Sequence, residues 1–266
     1  MFPYHTQKNR VHTGQAHYVP VPCGRCPECL KRRASMWSFR LRKEEERSLN
    51  ALFITLTYAP EHVPLSKNGF MTLVKKDLQN FFKRLRKRTA HGLRIKYYAC
   101  GEYGTRFRRP HYHIILFNSS EDDIVASWPF GHVDVGTVTG ASIAYTIKYV
   151  NKGRFRPMHA NDDRQPEFAL MSKRMGDNYL SPDVVAYHRG DLTKAFIVVE
   201  GGVRIPIPRY YKDKMFTQSE RDEQNRLVKE AILQDEVEHM TDWERHESRR
   251  NAIINFQKKY NNRKDF

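Results

Sequence analysis

The sequence is poor in cysteine and has no long apolar run, and each shortage argues against a class of protein. Four of its 266 residues are cysteines, and three of these fall in the segment 23–29, unlike the spaced pattern of a secreted disulfide scaffold. No stretch of about 20 apolar residues could cross a membrane. The N-terminal segment MFPYHTQKNR also lacks the apolar core of a signal peptide. We therefore expect a soluble intracellular protein with no membrane partner.

Internal repeats and low-complexity tracts are absent too, which argues against a solenoid or a propeller. Acidic residues are outnumbered, since 46 lysines and arginines stand against 30 aspartates and glutamates and the formal net charge is +16. A chain this basic indicates a polyanionic partner. Aromatic residues make up 12% of the sequence and can stack on bases. Composition therefore predicts a nucleic-acid-binding protein.

Hydrophobic periodicity predicts an α+β fold. The segment ALFITLTY at 51–58 is rich in β-branched and aromatic residues and is stopped by Pro60, as expected for a buried strand. The chain then continues as helix, strand, strand, helix, strand and helix, an order typical of a ferredoxin-like antiparallel sheet with an added helix. The predicted segments after the first strand are helices at 74–87, 122–127 and 142–152 and strands at 94–100, 111–118 and 131–138.

We expect three regions along the chain. Residues 1–50 form a basic segment that contains the cysteine cluster and packs on the core. Residues 51–205 form the central domain, in which a further strand is expected at 194–200 and Pro182 is expected to lie in a loop. Residues 206–266 form a charged, largely helical extension.

Two histidines open the predicted strand 111–118. Because side chains alternate along a strand, His111 and His113 lie on the same face. If the two neighbouring strands pair as a hairpin, Glu102 lies near His111 across the connecting loop. Two imidazoles and a carboxylate leave coordination positions open for a phosphate oxygen, so the three residues predict a metal site. Magnesium or manganese suits the carboxylate, and zinc is also compatible with histidine.

The predicted helix 142–152 has a polar face made of tyrosines and lysines. Helical spacing places four side chains together on it, namely Tyr145, Lys148, Tyr149 and Lys152. Ile143, Ile147 and Val150 face the other way, so the tyrosines are not needed for packing. A tyrosine hydroxyl with a pKa of about 10 is roughly 0.1% ionised at neutral pH, and a nearby lysine or metal would raise that fraction. We take Lys148 as the candidate helper.

The cysteine cluster and a basic loop are two further candidate sites. Cys23, Cys26 and Cys29 have the spacing of thiolate metal ligands, but a closed zinc site needs four, and Cys100, His12 or His17 could supply the last. The alternative is plain reduced thiols where a loop enters a helix. Basic residues of the loop before the histidines and of the tyrosine helix are expected to bind DNA, namely Arg106, Arg108, Arg109 and Lys152.

Several segments, taken together and in this order, resemble the HUH-type rolling-circle replication initiators of small single-stranded-DNA phages, most closely those of gokushovirus-like microviruses. A lone pair of histidines or of tyrosines is weak, whereas the ordered set is specific. The segments are PCGRCPECLKRR at 22–33, FITLTY at 53–58, GEYGTRFRRPHYHIILF at 101–117 and YTIKYVNK at 145–152, with weaker similarity at 166–176 and 208–214.

The resemblance implies an HUH endonuclease fold for the central domain and assigns roles to the candidate residues. His111 and His113 bind the metal, with Glu102 as third ligand. Tyr145 and Tyr149 are the paired nucleophiles, and Lys148 assists them. The family has a bulky apolar residue between the histidines, and the tyrosine found here keeps the bulk and adds a hydroxyl.

The implied activity is metal-dependent nicking of single-stranded DNA at a replication origin. One tyrosine forms a 5′-phosphotyrosyl link and releases a 3′-hydroxyl that primes rolling-circle synthesis, and the second tyrosine allows the strand to be rejoined. The implied partners are origin DNA and a host replicative helicase or polymerase, in the cytoplasm of a bacterial host. Two alternatives stay open, which are a transposase or relaxase with the same chemistry and a non-catalytic nucleic-acid-binding protein.

Overall fold

A five-stranded antiparallel sheet organises the central part of the chain. The computed structural model describes residues 6–10, 16–20, 26–89, 92–151 and 159–239 and the single residues 247 and 251. The described elements are, in chain order, β1 (Thr6–Arg10), β2 (Ala16–Pro20), α1 (Pro27–Glu45), β3 (Ala51–Thr57), α2 (Lys75–Arg88), β4 (Lys96–Tyr103), β5 (Pro110–Phe117), α3 (Glu121–Ser127), β6 (Val133–Thr137), α4 (Gly140–Asn151), β7 (Phe168–Met171), α5 (Pro182–Arg189), β8 (Phe196–Val198), β9 (Arg204–Pro206), α6 (Arg209–Met215) and α7 (Gln218–His239).

The described chain divides into two units, of which the first, Ala34–Tyr179, carries the sheet. Its strands run in the order β6-β3-β5-β4-β7, and every neighbouring pair is antiparallel. The four strands from β3 to β6, with α2 and α3 as their connections, have the ferredoxin-like arrangement, to which β7 adds an edge strand. The predicted α+β fold with an antiparallel sheet is confirmed, and each element predicted between residues 51 and 152 is present.

One face of the sheet packs against α2 and α3. From β5 it presents Tyr112, Ile114 and Leu116, all fully buried. The matching stripe of α2 is spaced at three and four residues and is also buried, namely Leu78, Phe81, Phe82 and Leu85. Burial of this many apolar side chains makes the face the larger part of the core.

The opposite face changes character along β5. Ile115 and Phe117 are buried there in a second apolar cluster with α1 and α4, to which α4 contributes Ile143 and Ile147. Alternation along the strand continues this face through His113 to the first histidine of the pair. The apolar packing of α4 therefore holds that helix over the sheet next to the end where the histidines lie.

The hydroxyl of Tyr112 is fully satisfied inside the larger cluster. It accepts a hydrogen bond from the backbone N–H of Val74 at 3.0 Å and lies 2.8 Å from the hydroxyl of Tyr58. Tyr58 in turn donates to the carboxylate of Asp77 at 2.9 Å. Burial raises the pKa of Tyr112 to about 12, so the hydroxyl stays protonated at neutral pH. This chain tolerates a tyrosine at that position because the phenol fastens the start of α2 to β5.

Pro182 was expected in a loop, and the structure corrects this. Pro182 begins α5, whose first turn is capped by the Ser181 hydroxyl accepting from the N–H of Val184. The missing N–H of proline costs nothing at the first position of a helix, which is why a proline there does not mark a break. The strand expected at 194–200 is shorter than predicted and pairs with β9 as a hairpin.

The second unit comprises the described residues on either side of the first. It contains the β1–β2 and β8–β9 hairpins, helices α5 and α6, and α7, which confirms the predicted helical extension. Ile197, Ile207 and Tyr211 are among its buried side chains. None of the described helices has the combination of length and apolar composition needed to cross a bilayer. The boundaries proposed at residues 50 and 205 stay predictions.

We predict that Tyr112→Phe lowers the free energy of unfolding by roughly 1–2 kcal/mol, because it leaves the buried N–H of Val74 without its acceptor. Urea titration should show a lower unfolding midpoint with an unchanged slope. Tyr97→Phe is the matched control, since that ring stacks on Phe82 and its hydroxyl makes no hydrogen bond to a described residue. Equal midpoints for Tyr112→Phe and the wild type would contradict the role given to this hydroxyl.

Candidate active site

The register of the β4–β5 hairpin brings a carboxylate to the histidine pair. Glu102 lies directly opposite His111, and Cys100 lies opposite His113. Oε1 of Glu102 is 3.0 Å from Nε2 of His111 and 4.0 Å from Nε2 of His113. The three side chains are largely shielded from solvent, and Glu102 is only 5% exposed. The predicted cluster of one carboxylate and two imidazoles is therefore assembled in the structure.

Hydrogen bonds on the far side of each ring orient the two imidazoles. Nδ1 of His111 donates to the carbonyl oxygen of Arg109 at 3.1 Å, and a carbonyl can only accept. Nδ1 of His113 is hydrogen-bonded to Oγ1 of Thr55, also at 3.1 Å. With Nδ1 engaged in this way, each ring presents Nε2 to Glu102. Metal-binding histidines are commonly held by such outer partners.

The donor set fits a divalent cation. The nearest ligand atoms of Glu102, His111 and His113 all lie within 4.8 Å of one another. Because Nδ1 of His111 carries the proton, its neutral ring directs an Nε2 lone pair at a carboxylate oxygen, and a cation between them removes that repulsion. The other oxygen, Oε2 of Glu102, is buried with no hydrogen-bond partner among the described residues. These three side chains can hold a metal ion, and no other group of this kind occurs among the residues described.

Tyr145 of α4 reaches this cluster from above the sheet. Its ring meets the imidazole of His113 edge to face, with ring centroids 5.0 Å apart. The side chain is 40% exposed, so one side is open to solvent while the other faces the metal ligands. Burial, followed by the nearby Glu102 and Cys100, raises the pKa of Tyr145 to about 12. A cation at the cluster would oppose all of these effects and favour the phenolate.

The other residues predicted on the tyrosine face are described only in part. Residues 148–151 continue the backbone of α4, but the side chains of Lys148 and Tyr149 lie outside the described part of the structure, as does Lys152 altogether. Ile143 and Ile147 are buried, as the predicted division of the helix into two faces requires. The roles of Lys148, Tyr149 and Lys152 stay predictions.

The three arginines of the β4–β5 loop have different surroundings. Arg106 is exposed, with its guanidinium 5.0 Å from the ring centroid of Phe107. Arg108 is partly buried and has a left-handed backbone, with φ of 52°. Arg109 donates through its guanidinium to the backbone carbonyl of Tyr58 and so has a structural tie. DNA contact by all three stays a prediction.

The predicted zinc site falls mostly outside what can be described. Cys23 is outside the described residues, whereas Cys26 and Cys29 lie just before and inside the first turn of α1 and are partly exposed. Neither belongs to a described group of three metal-ligating side chains. Cys100, named as a possible fourth ligand, is buried on β4. Zinc binding by this cluster stays a prediction.

The sequence reasoning missed two groups that position the histidines, which are the hydroxyl of Thr55 and the carbonyl of Arg109. The carbonyl carries no sequence signal. Thr55 does carry one, because it lies among apolar residues on the predicted strand 51–58. Its partner could not be identified without the register, which pairs Thr55 with His113 across β3 and β5.

Comparison with known proteins relates the chain to phage replication proteins. Residues 51–154 match the family model of the ORF2 type of replication-associated protein, a segment that runs from β3 through α4. The chain is 29% identical over 220 residues to replication-associated protein VP4 of Bdellovibrio phage phiMH2K, covering 72% of this chain and 66% of that protein. No solved structure matches the chain at a significant level.

Two further relatives have similar names and similar levels of identity. Replication-associated protein ORF2 of Spiroplasma virus 4 is 27% identical over 248 residues, covering 82% of this chain and 77% of the relative. Replication-associated protein ORF4 of Chlamydia phage 1 is 29% identical over 222 residues, covering 73% and 53%. The match thus spans just under two thirds of VP4 and about half of ORF4. The predicted resemblance to phage replication proteins is confirmed.

We predict that Thr55→Val weakens manganese binding roughly tenfold to a hundredfold, because His113 loses the partner that fixes its ring. Isothermal titration calorimetry on the full chain measures this directly. Thr57→Val is the matched control, since Thr57 lies two residues further along the same strand and its hydroxyl donates to the carbonyl of His132. Equal losses in the two variants would contradict a specific role for Thr55.

Proposed function

Because this chain is related to the replication-associated proteins of phages, we propose that it initiates replication by nicking single-stranded DNA at an origin. The observation that carries the proposal is the contact between Tyr145 and His113. It brings a candidate nucleophile from α4 against a metal-ligand cluster from β4 and β5. Neither element could form such a site alone.

Glu102, His111 and His113 would hold the metal, and we propose manganese or magnesium. When bound, the ion supplies Lewis-acid polarisation of the scissile phosphodiester. Two nitrogen donors and a carboxylate leave positions open for phosphate oxygens. The hydrogen bonds from Thr55 and Arg109 keep both Nε2 atoms aimed at that place.

Tyr145 is the proposed first nucleophile. Its hydroxyl oxygen attacks the phosphorus, a new O–P bond forms to the 5′ side of the strand, and the bond from phosphorus to the 3′ oxygen breaks. The phenol proton is lost and the leaving 3′ oxygen takes one up, so no water is consumed. The phosphoester bond is conserved in the protein-linked strand, and the free 3′-hydroxyl can prime rolling-circle synthesis.

We propose that Tyr149, one helical turn after Tyr145, is the second nucleophile. After one round of synthesis it would cleave the regenerated origin, while the released 3′-hydroxyl attacks the first link and closes the displaced strand. Lys148 lies between the two tyrosines in sequence and would help to ionise them. Two tyrosines make strand joining possible without a hydrolytic step.

The proposed substrate is origin DNA inside a bacterial host. The net charge of +16 favours a nucleic acid. The names of the relatives favour a replication initiator over a transposase or a relaxase, which would use the same chemistry at other DNA sites. A host helicase or polymerase as partner remains an expectation from the family resemblance.

We predict that the full chain, incubated with manganese and single-stranded DNA of the source genome, forms a covalent adduct on Tyr145. Denaturing gels detect the adduct, and peptide mass spectrometry locates it. Tyr145→Phe should lose the first cleavage, whereas Tyr149→Phe should retain it and lose strand joining. Chelation of the metal and His111→Ala should each abolish the adduct, because both remove the cation that offsets the raised pKa of Tyr145.

Tyr187→Phe is the control for tyrosine removal, since that ring lies on α5 in the second unit and is exposed. It should react as the wild type does. Intact DNA with every genomic fragment tested would support the non-catalytic binding alternative instead. An adduct that forms equally in the presence of chelator would contradict the role proposed for the metal cluster.

A further inference from the structure

A cavity of about 310 Å³ lies beside the β4–β5 loop and has no role in the chemistry above. The residues lining it come from three separate loops of the first unit and are Phe70, Met71, Phe107, Arg108, His159 and Arg164. Its volume is at the lower end of the range for small-molecule sites. Aromatic rings and guanidinium groups dominate its walls.

Two of the three loops form a fixed wall. The backbone of Phe70 is held in a tight turn by bonds to Ser66, whose N–H donates to the Phe70 carbonyl at 2.8 Å and whose hydroxyl accepts from the Phe70 N–H at 3.1 Å. The side-chain amide of Asn68 donates to the carbonyl of Asn161 at 2.8 Å, which ties this turn to the loop that carries His159. The wall is therefore preorganised.

A buried ion pair anchors the same wall. Arg164 is only 6% exposed, and its guanidinium donates to both carboxylate oxygens of Asp162 at 2.7 and 2.6 Å. The guanidinium also lies 5.7 Å from the ring centroid of Phe70 and 5.1 Å from that of Tyr103. Cation–π contacts of this kind hold rings in a set orientation.

The third loop presents an exposed ring. Phe107 is 67% exposed, so most of its apolar surface has no protein cover. The guanidinium of Arg106 lies over this ring, and Arg108 beside it has the left-handed backbone that a side chain other than glycine adopts only at a cost. The loop keeps this form because Gly104 and Arg109 close its base, with the Gly104 N–H donating to the Arg109 carbonyl at 3.0 Å.

Charge narrows the chemistry of the occupant. The six lining residues include two arginines and no carboxylate, and Arg106 adds a third cation next to the rim. The nearest acid described here, Asp162, is engaged by Arg164. An occupant with a flat π-face and a negative charge suits such a site, which describes an unpaired nucleotide better than it describes a peptide or a lipid.

The position of the loop connects the cavity with the metal cluster. The loop runs between Glu102 and His111, which are both proposed ligands. The carbonyl of Arg109 that closes the loop is also the acceptor for Nδ1 of His111. A strand with its base in the cavity and its backbone at Arg106 and Arg108 would thus lie next to the metal cluster.

We propose that this cavity is a nucleobase subsite, in which one unpaired base of single-stranded DNA stacks on Phe107 and Phe70. Arg106 and Arg108 contact the adjoining phosphates. The assignment of this base to the strand that is nicked rests on the proposed function, whereas base binding itself does not. The subsite selects single-stranded over duplex DNA, because a paired base cannot enter it.

The test uses the full chain and short single-stranded oligonucleotides in which thymidine is replaced by 5-iododeoxyuridine. Ultraviolet irradiation should cross-link the base to Phe107, Phe70 or His159, as mapped by peptide mass spectrometry. Unlabelled duplex of the same sequence should not compete. Cross-links confined to other parts of the chain would overturn the proposal.

Substitutions make the test quantitative. Phe107→Ala should weaken binding of the oligonucleotide roughly tenfold at any salt concentration, and Phe107→Tyr should restore it, because stacking needs only an aromatic ring. Arg106→Ala should instead reduce the salt dependence of binding by about one phosphate contact. Tyr187→Ala is the control, as it removes an exposed ring in the second unit and should leave binding unchanged.

The outcomes separate this proposal from the proposed function. Cross-linking at Phe107 and loss of affinity in Phe107→Ala, with no covalent tyrosine adduct, would support the subsite and contradict the nickase. A tyrosine adduct in the wild type, with Phe107→Ala binding and cross-linking as the wild type does, would contradict the subsite and leave the nickase intact.

Discussion

The register of the β4–β5 hairpin is the constraint on which the rest of the site depends. It sets Glu102 opposite His111 and lets one carboxylate oxygen face both imidazoles. A slip by one residue would turn the histidines to the face of the sheet that packs on α2 and bring Tyr112 to the other. Buried apolar side chains on both faces oppose such a slip, because it would exchange polar and apolar side chains along the whole strand.

The two faces of the sheet divide structural and chemical work between neighbouring residues. On one face, Tyr112 uses its hydroxyl to fasten α2. On the other, the residues before and after it offer metal-ligating nitrogen atoms, and α4 rests on Ile143 and Ile147 so that Tyr145 reaches His113. The site is therefore built from side chains whose positions are fixed by packing, which limits the reorganisation needed before reaction.

The sequence predicted the features that depend on local pattern. Alternation along a strand placed His111 and His113 together, and the 3.6-residue period separated Tyr145 from the buried isoleucines of α4. What it could not predict depends on pairing between distant segments. The edge strand Phe168–Met171 has four residues and is defined by its pairing with β4, and Thr55 meets His113 only through the register of β3 and β5. Both need the assembled sheet.

The central claim is that Glu102, His111 and His113 form one metal centre, and anomalous X-ray diffraction from crystals grown with manganese tests it most directly. The account predicts a single strong peak in which Nε2 of both histidines and one oxygen of Glu102 lie about 2.0–2.3 Å from the ion. An absent peak at this place, with Nε2 of His111 still hydrogen-bonded to Glu102 under saturating manganese, would contradict it.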